Sequence, residues 1–176
     1  TGAPAPKTAH WVDVASHTSC GQRQDNQDRV YCDFQTLAVF DGVGGRAFGG
    51  TAATVALAQT LLTLSESRQQ GTVELVDALQ AANETLLEAN QRMGFDTATT
   101  ATVMALYERQ RTPYLSVAWV GDTPAYLIRG DGVLKLTRPH EVLDRAATVP
   151  HFRLTRWLGD GHAARPEMQE VLLQEG

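Results

Sequence analysis

The fold is decided by the stretch Leu37-Ala-Val-Phe-Asp41-Gly-Val-Gly-Gly-Arg-Ala-Phe-Gly-Gly50. Its apolar start is typical of a buried strand that ends on Asp41, and its glycines leave the backbone bare before a helical pattern begins. A carboxylate beside bare backbone suits metal ions and phosphates, which approach the main chain closely. The same residues are equally typical of a tight strand-to-helix turn in which Asp41 caps the helix. This stretch alone favours neither interpretation.

The residues before this stretch predict an antiparallel hairpin. Residues 29–33 are β-prone, and a turn over residues 33–36 joins them to the apolar strand. Asp28 and Asp41 are then expected close together at the open end of the hairpin. Further upstream, residues 8–17 mix apolar and polar side chains, which predicts a first strand.

Two helical patterns follow, and strands come after them. Residues 48–68 carry Ala and Leu at helical spacing, and a second pattern of this kind runs over residues 73–93. After Gly94, β-branched and apolar residues predict strands over residues 97–107, 114–120, 124–128, 133–136 and 167–173. Helices that are segregated from a meander of antiparallel strands indicate the α+β class. The pattern over residues 138–159 predicts no definite element.

The composition bounds the class of protein. The chain has 176 residues, 43% of them hydrophobic and 20% charged, which predicts one globular domain with a real core. A net charge of −5 argues against non-specific nucleic-acid binding, which needs a basic face. No apolar run is long enough to span a membrane. Cys20 and Cys32 match no metal-binding spacing, so we expect two free thiols in a reducing compartment, the cytoplasm.

Three aspartates stand at predicted strand ends or beside glycines: Asp28, Asp41 and Asp122. Two carboxylates about 4 Å apart repel by about 4 kcal/mol at an effective dielectric of about 20, a repulsion that a proton or a shared cation relieves. Oxygen ligands without His or Cys suit Mg²⁺ or Mn²⁺, which supply an activated water. Arg23 lies five residues before Asp28. If that loop is extended, its guanidinium is a candidate ligand for a phosphate beside the metals. The alternative interpretation is a solvated cation on the loop.

A competing motif begins at Gly42. Residues 42–47 fit the pattern G-x-G-x-x-A after a strand and before a helix, as in a dinucleotide-binding turn. That turn requires a βαβ unit, but the next predicted strand comes only after two consecutive helices. The context therefore argues against a dinucleotide site.

Six motifs follow one another along the chain. They are Arg23…Asn26-Gln27-Asp28, Val39-Phe40-Asp41-Gly42-Val43-Gly44-Gly45, Thr99-Thr100-Ala101, Val120-Gly121-Asp122-Thr123-Pro124-Ala125-Tyr126, Leu136-Thr137-Arg138-Pro139-His140 and Leu154-Thr155-Arg156-Trp157-Leu158-Gly159. In this order they resemble the motifs of the PP2C-type (PPM) metal-dependent serine/threonine protein phosphatases of the bacterial branch. The resemblance implies a four-layer α-β-β-α sandwich of two antiparallel sheets flanked by helix pairs. Residues 9–176 would be about the N-terminal three-quarters of this domain, without its C-terminal strands, and residues 1–8 a tail.

The resemblance also implies a role for each candidate residue. Asp41 would bridge two Mn²⁺ or Mg²⁺ ions, the Gly42 carbonyl would bind one of them, and Asp28 would act mainly through metal-bound water. Asp122 would bind a third, weaker metal, and Arg23 would hold the substrate phosphate. A metal-bridging water would then hydrolyse phosphoserine or phosphothreonine in a phosphorylated protein. A serine/threonine kinase is the implied signalling partner, with no role for nucleic acid or membrane.

Four positions or segments depart from the family pattern. Gln27 stands where many members have Glu, and Val43 replaces the His of the Asp-Gly-His-Gly-Gly form, so no general acid is assigned. The segment from His140 to Leu154 is shorter than the usual flap region. The family continues past the equivalent of Gly176 with Ser-Asp-Gly and Asp-Asn motifs, whose aspartates complete the metal site. The alternative function is therefore a truncated or degenerate module of this fold that binds a partner without turnover.

Overall fold

A computed structural model describes residues 13–43, 48–69, 74–146, 148–161 and 164–173 of the chain. The element order is β1 (Asp28–Cys32), β2 (Thr36–Asp41), α1 (Gly49–Gln69), α2 (Leu75–Met93), β3 (Ala101–Arg109), β4 (Thr112–Val120), β5 (Tyr126–Arg129), β6 (Gly132–Lys135), β7 (Glu141–Asp144), β8 (His151–Leu154) and β9 (Glu167–Leu172). The α+β class predicted from the sequence is confirmed.

The main sheet has five antiparallel strands in the order β1-β2-β3-β4-β9. The chain forms the β1–β2 hairpin, leaves the sheet for both helices, and returns as β3 beside β2. Strands β2 and β3 are therefore antiparallel neighbours, and no βαβ unit is present in the described residues. This topology excludes the dinucleotide-binding interpretation of residues 42–47, a motif that lies partly outside those residues.

Helices α1 and α2 pack on one face of this sheet. Their core stripes are rich in alanine, including Ala53, Ala56, Ala78 and Ala82, all of which are fully buried. Alanine side chains keep the helices close to the sheet, and Phe40 fills the space between the layers. Neither helix has the length and apolar character that a bilayer crossing requires, as judged over the described residues.

The opposite face of the sheet carries a second, smaller core. It contains Leu115, Val117 and Trp119 from β4, which pack with Ala125 and Leu136 at the open end of the β5–β6 hairpin. The β7–β8 hairpin forms a separate two-stranded sheet. In the described part of the chain, the β5–β6 hairpin packs over this face of the main sheet, and α1 and α2 form one helix pair on the other face.

Several boundaries differ from the sequence predictions. Strand β3 begins at Ala101 rather than at residue 97, because Thr99 forms isolated bridges with Gly42 and Leu158 instead of pairing regularly. The first strand is wrong for residues 13–17, which form no strand and are largely exposed, while residues 8–12 lie outside the described ranges. Strands β7 and β8 form where no definite element was predicted. The predicted tail, residues 1–8, also lies outside the description.

Candidate functional site

The β1–β2 hairpin brings two carboxylates together, as predicted. Its register pairs Asp28, the first residue of β1, directly with Asp41, the last residue of β2. Burial, the charge of Asp28, a hydrogen bond between the two carboxyls and the charge of Asp122 raise the pKa of Asp41 to about 6, whereas Arg23 lowers it. Because Asp41 lies at an exposed strand end, we attribute more of this shift to the neighbouring charges than to burial. The pair accordingly favours binding a proton or a cation.

The loop before β1 is held by the side chain of Asn26. Its Oδ1 accepts the backbone N–H of Asp28 at 3.0 Å, and its Nδ2 donates to the Thr18 hydroxyl at 2.9 Å. Within the same loop, the N–H of Arg23 donates to the Cys20 carbonyl at 2.9 Å. These bonds shape the exposed loop into a turn, and Arg23 lies on the same side of it as the acidic pair.

The two cysteines, Cys20 and Cys32, are free thiols, as predicted.

Arg29 braces this loop against helix α1. Its Nη1 donates to the carbonyls of Asn26 at 3.0 Å and Asp28 at 2.7 Å, and its Nε donates to the Thr54 hydroxyl at 2.8 Å. The position of Asp28 is therefore fixed by the helix as well as by the sheet.

The backbone after Asp41 packs directly on the start of α1. A Cβ on Gly42 would lie 2.5 Å from the carbonyl carbon of Gly49, so only glycine fits there. The Gly42 N–H donates to the Gln27 carbonyl at 3.3 Å, and the Val43 N–H donates to the Ala98 carbonyl at 3.0 Å. The close approach that the glycines predicted is thus made by the chain itself at Gly42.

Two threonines just before β3 hold the Asp41 carbonyl. The Thr100 N–H and the Thr99 hydroxyl both donate to it at 2.8 Å. The backbone of Asp41 is consequently fixed on one side by β1 and on the other by the segment that leads into β3.

Asp122 follows the end of β4, and its backbone is held on both sides. Gly121 has φ +104°, and a Cβ there would lie 2.4 Å from Cγ2 of Thr100. On the other side, the Thr123 hydroxyl lies 2.6 Å from the Thr100 hydroxyl, and the Thr123 carbonyl accepts from the Thr102 hydroxyl at 2.8 Å. Asp122 is close enough to raise the pKa of Asp41, so the three aspartates form one acidic region.

Two open cavities meet at this region. The first has a volume of about 560 Å³ and includes Arg23, Asp28, Asp41 and Gly42 in its lining. The second, of about 690 Å³, includes Arg23, Asp41, Gly42 and Asp122, together with residues of β8 and Trp157. The structure therefore brings together all five site residues predicted from the sequence.

The donor set fits a hard divalent cation in chemistry but is incomplete in number. Asp28 and Asp41 supply carboxylate oxygens at a point where negative charges repel, which is the environment that Mg²⁺ and Mn²⁺ stabilise. Among the described residues, however, no three His, Cys, Asp or Glu side chains are grouped so as to hold a metal ion. Further ligands, from backbone carbonyls, water or other parts of the protein, are needed to complete the coordination.

Sequence reasoning gave no role to several residues that shape this site. Asn26, Thr99, Thr100 and His140 lie within the six motifs but have no predicted role, and Arg29 lies outside those motifs. A side chain that holds backbone through a hydrogen bond leaves no periodic signal in the sequence. The β8 residues of the second cavity were missed because that strand is short and mostly exposed.

A protein-family model matches most of the chain. The model described as "Protein phosphatase 2C" matches residues 5–146 of the chain. A comparison with curated protein sequences found no match.

Solved structures of bacterial phosphatases have the same fold. The PPM Ser-Thr phosphatase MsPP from Mycobacterium smegmatis, in complex with cacodylate, is 29% identical at a TM-score of 0.69, over 84% of this chain and 66% of that one. The serine/threonine phosphatase PstP/Ppp of Mycobacterium tuberculosis is 21% identical at a TM-score of 0.69, over 86% and 69%. The catalytic domain of PstP in complex with two manganese ions is 22% identical at a TM-score of 0.68, over 88% and 69%. The chain thus spans about two thirds of the length of these relatives.

Proposed function

The chain belongs to the protein phosphatase 2C family, and we propose that residues 9–176 are the larger part of the catalytic domain of a metal-dependent protein phosphatase. The reaction is the hydrolysis of phosphoserine or phosphothreonine in a protein, which consumes one water and releases the hydroxyl side chain and inorganic phosphate. The observation that carries this proposal is the register of the β1–β2 hairpin, which sets Asp28 directly opposite Asp41 beside Arg23.

We assign the acidic residues to a Mn²⁺ or Mg²⁺ centre. Asp41 would hold two ions, the Gly42 carbonyl would be a ligand of one of them, and Asp28 would act through water. Asp122 is assigned to a third, weaker ion. The bound ions supply the Lewis acidity that activates water at neutral pH. The cacodylate in the 29% identical relative and the manganese ions in PstP support the assignment of a centre that takes an oxyanion and divalent metals.

Arg23 is assigned to the substrate phosphate. It shares both cavities with Asp41, and its positive charge lowers the pKa of that carboxyl. A planar guanidinium with two parallel N–H groups matches a pair of phosphate oxygens, so Arg23 orients the substrate next to the acidic pair. The substrate is a phosphorylated protein, and a serine/threonine kinase that opposes the reaction is the expected signalling partner.

The test is the release of phosphate from a phosphothreonine peptide by the full-length protein. We expect release to require Mn²⁺ or Mg²⁺ and to fall at least about 100-fold in Asp41→Asn, since removal of a metal ligand exceeds the 10- to 100-fold loss typical of an outer-shell partner. Asp33→Asn, at the turn end of the same hairpin, is the matched control and should keep its activity. Full turnover by a folded Asp41→Asn variant would contradict the proposal.

A second candidate function is a module of the same fold that binds a partner without turnover. It is favoured by the absence, in the described ranges, of a group of three potential metal-ligating side chains. Titration of the full-length protein with a phosphopeptide, in parallel with the phosphate assay, separates the two functions. Metal-independent binding without any phosphate release would favour the module.

A further inference from the structure

The imidazole of His140 is held by hydrogen bonds on both of its nitrogens. Its side chain is only 4% exposed; Nδ1 accepts the N–H of Gly121 at 3.1 Å, and Nε2 lies 3.2 Å from Oε1 of Glu167. Because Nδ1 accepts a hydrogen bond, the ring hydrogen must lie on Nε2, which donates to Glu167. Burial and the charge of Arg156 lower the pKa of His140 although Glu167 raises it, in agreement with this neutral tautomer.

Both backbone groups of Gly121 are bound to His140. In addition to the bond to Nδ1, the Gly121 carbonyl accepts the backbone N–H of His140 at 2.9 Å. Gly121 has a positive φ that L side chains rarely adopt, so this peptide does not keep its orientation through local preference alone. The next residue in the chain is Asp122, whose direction therefore depends on how Gly121 is held.

The main sheet in turn holds the ring of His140. Glu167 is the first residue of β9 and pairs in register with Trp119 of β4. The Trp119 ring stacks on the imidazole with 6.3 Å between centroids, and Nη1 of Arg156 donates to Oε1 of Glu167 at 2.9 Å. Nδ1, which accepts the Gly121 N–H, is thus held in a fixed position.

We propose that His140 is a positioning residue for Asp122, acting through the hydrogen bond from the Gly121 N–H to Nδ1. The function of this bond is to keep the Asp122 carboxylate directed toward Asp41 in the acidic region. This inference rests on the proposed function, because it takes Asp122 as a ligand of the weaker metal. His140 itself touches neither metal nor substrate.

Two substitutions separate the hydrogen bond from simple packing. His140→Asn retains an oxygen that can accept the Gly121 N–H where Nδ1 does, whereas His140→Leu fills similar space without an acceptor. Calorimetric titration of the full-length protein with Mn²⁺ measures the affinity of each site. We expect the Leu variant to weaken the weakest site 10- to 100-fold, as for other outer-shell partners, and the Asn variant to stay within about threefold of the wild type.

The combination of His140→Leu with Asp122→Asn provides the decisive control. If His140 acts through Asp122, the double variant should bind Mn²⁺ no more weakly than Asp122→Asn alone. Additive losses, equal losses in the Asn and Leu variants, or unchanged binding in both would each overturn the inference. A wild type that binds no Mn²⁺ at all would instead overturn the proposed metal centre, and the inference with it.

NMR provides a test that does not depend on the folding of the Leu variant. The wild-type protein is titrated with diamagnetic Mg²⁺ while its NMR spectrum is monitored. The Gly121 amide and the His140 Nδ1 resonances are expected to shift together as the weaker site fills. Saturation of that site without a shift in either resonance would contradict the inference.

Discussion

The two ends of the β1–β2 hairpin place carboxylates in opposite surroundings. At the turn end, Asp33 accepts hydrogen bonds from the Gln35 N–H at 2.7 Å, the Thr36 N–H at 2.6 Å and the Tyr31 hydroxyl at 2.8 Å. At the open end, Asp41 faces the carboxyl of Asp28. The same type of side chain, on strands that are only a few residues long, is satisfied by donors at one end and opposed by like charge at the other.

The pKa values follow this difference. Burial alone would raise the pKa of Asp33, but hydrogen bonds from Gln35, Tyr31 and Thr36 and the charge of Arg68 hold it below its ordinary value. The pKa of the open-end carboxyl is raised to about 6. A charge that the fold satisfies contributes to stability, whereas a charge that the fold leaves in repulsion indicates a site for a ligand.

Metal affinity is expected to show the largest contrast between the two ends. Replacing both Asp28 and Asp41 by Asn should lower the affinity of the full-length protein for Mn²⁺ at least about 100-fold, because both charged oxygens of the pair are lost. Asp33→Asn should leave the affinity unchanged. Calorimetric titration measures the Mn²⁺ affinity of both variants. A double variant that binds Mn²⁺ as tightly as the wild type would show that the two ends of the hairpin do not differ in metal binding.

Stability should depend more on the turn end. Asp33→Ala leaves two backbone N–H groups and a tyrosine hydroxyl without their charged acceptor, which costs about 1.5–3 kcal/mol of unfolding free energy. In a domain of this size Tm should fall by about 3–12 °C. Because the folded pKa of Asp33 lies below 3.8, its ionised form stabilises the protein above that pH, and this contribution is lost as the pH falls through the folded pKa.

The matched control for the turn end is Asp131→Ala, in the exposed turn between β5 and β6. We expect its unfolding free energy to stay within about 0.5 kcal/mol of the wild type, since it is a surface position. Equal losses of stability in the two variants, measured by thermal unfolding, would show that the hydrogen bonds of Asp33 have no special contribution.

The smallest expected effect is a gain in stability, opposite in sign to the loss expected for Asp33→Ala. It concerns Asp41 and appears in the absence of divalent ions. The folded protein keeps a proton on Asp41 up to a pH of about 6, while an unfolded Asp loses it near 3.8, so stability falls as the pH rises between these values. Asp41→Asn removes this penalty. After allowance for solvent screening, the gain at pH 7.5 is about 1 kcal/mol, or a rise in Tm of about 2–4 °C.

At pH 4 the same variant and the wild type should unfold at nearly equal temperatures, because the carboxyl is then protonated in the folded state. Thermal scans in the presence of a chelator at the two pH values test this directly. A variant that is destabilised by the same amount at both would show that Asp41 contributes through packing rather than charge.

The sequence predicts the hairpin and its acidic end because the information is local. A polar turn between two short β-prone runs sets the register, and the register sets Asp28 opposite Asp41. The helices are predicted for a similar reason, since their apolar spacing is repeated over several turns. What depends on neighbouring residues in the chain was therefore predictable.

The features of the fold and the site that the sequence did not predict depend on contacts between distant segments. The role proposed for His140 depends on its contacts with Gly121 and Glu167, neither of which lies near it in sequence. Strands β7 and β8 are four residues each, with largely exposed side chains, so no alternation of apolar residues marks them. The strand expected over residues 8–17 failed at 13–17 because a mixed apolar pattern does not by itself supply a neighbouring strand to pair with.

The register of the β1–β2 hairpin also has a consequence for insertions and deletions. A slip of one residue in β1 would set Asp41 opposite Arg29 instead of Asp28, exchanging a repulsive cross-strand pair for an attractive one. The misaligned hairpin would thus be stabilised electrostatically, while the Asp28–Asp41 pair at its open end would be lost. The hydrogen bonds from Gln35 and Thr36 to Asp33 oppose that slip from the far end, so a change in turn length there would disrupt the proposed metal centre without replacing any of its residues.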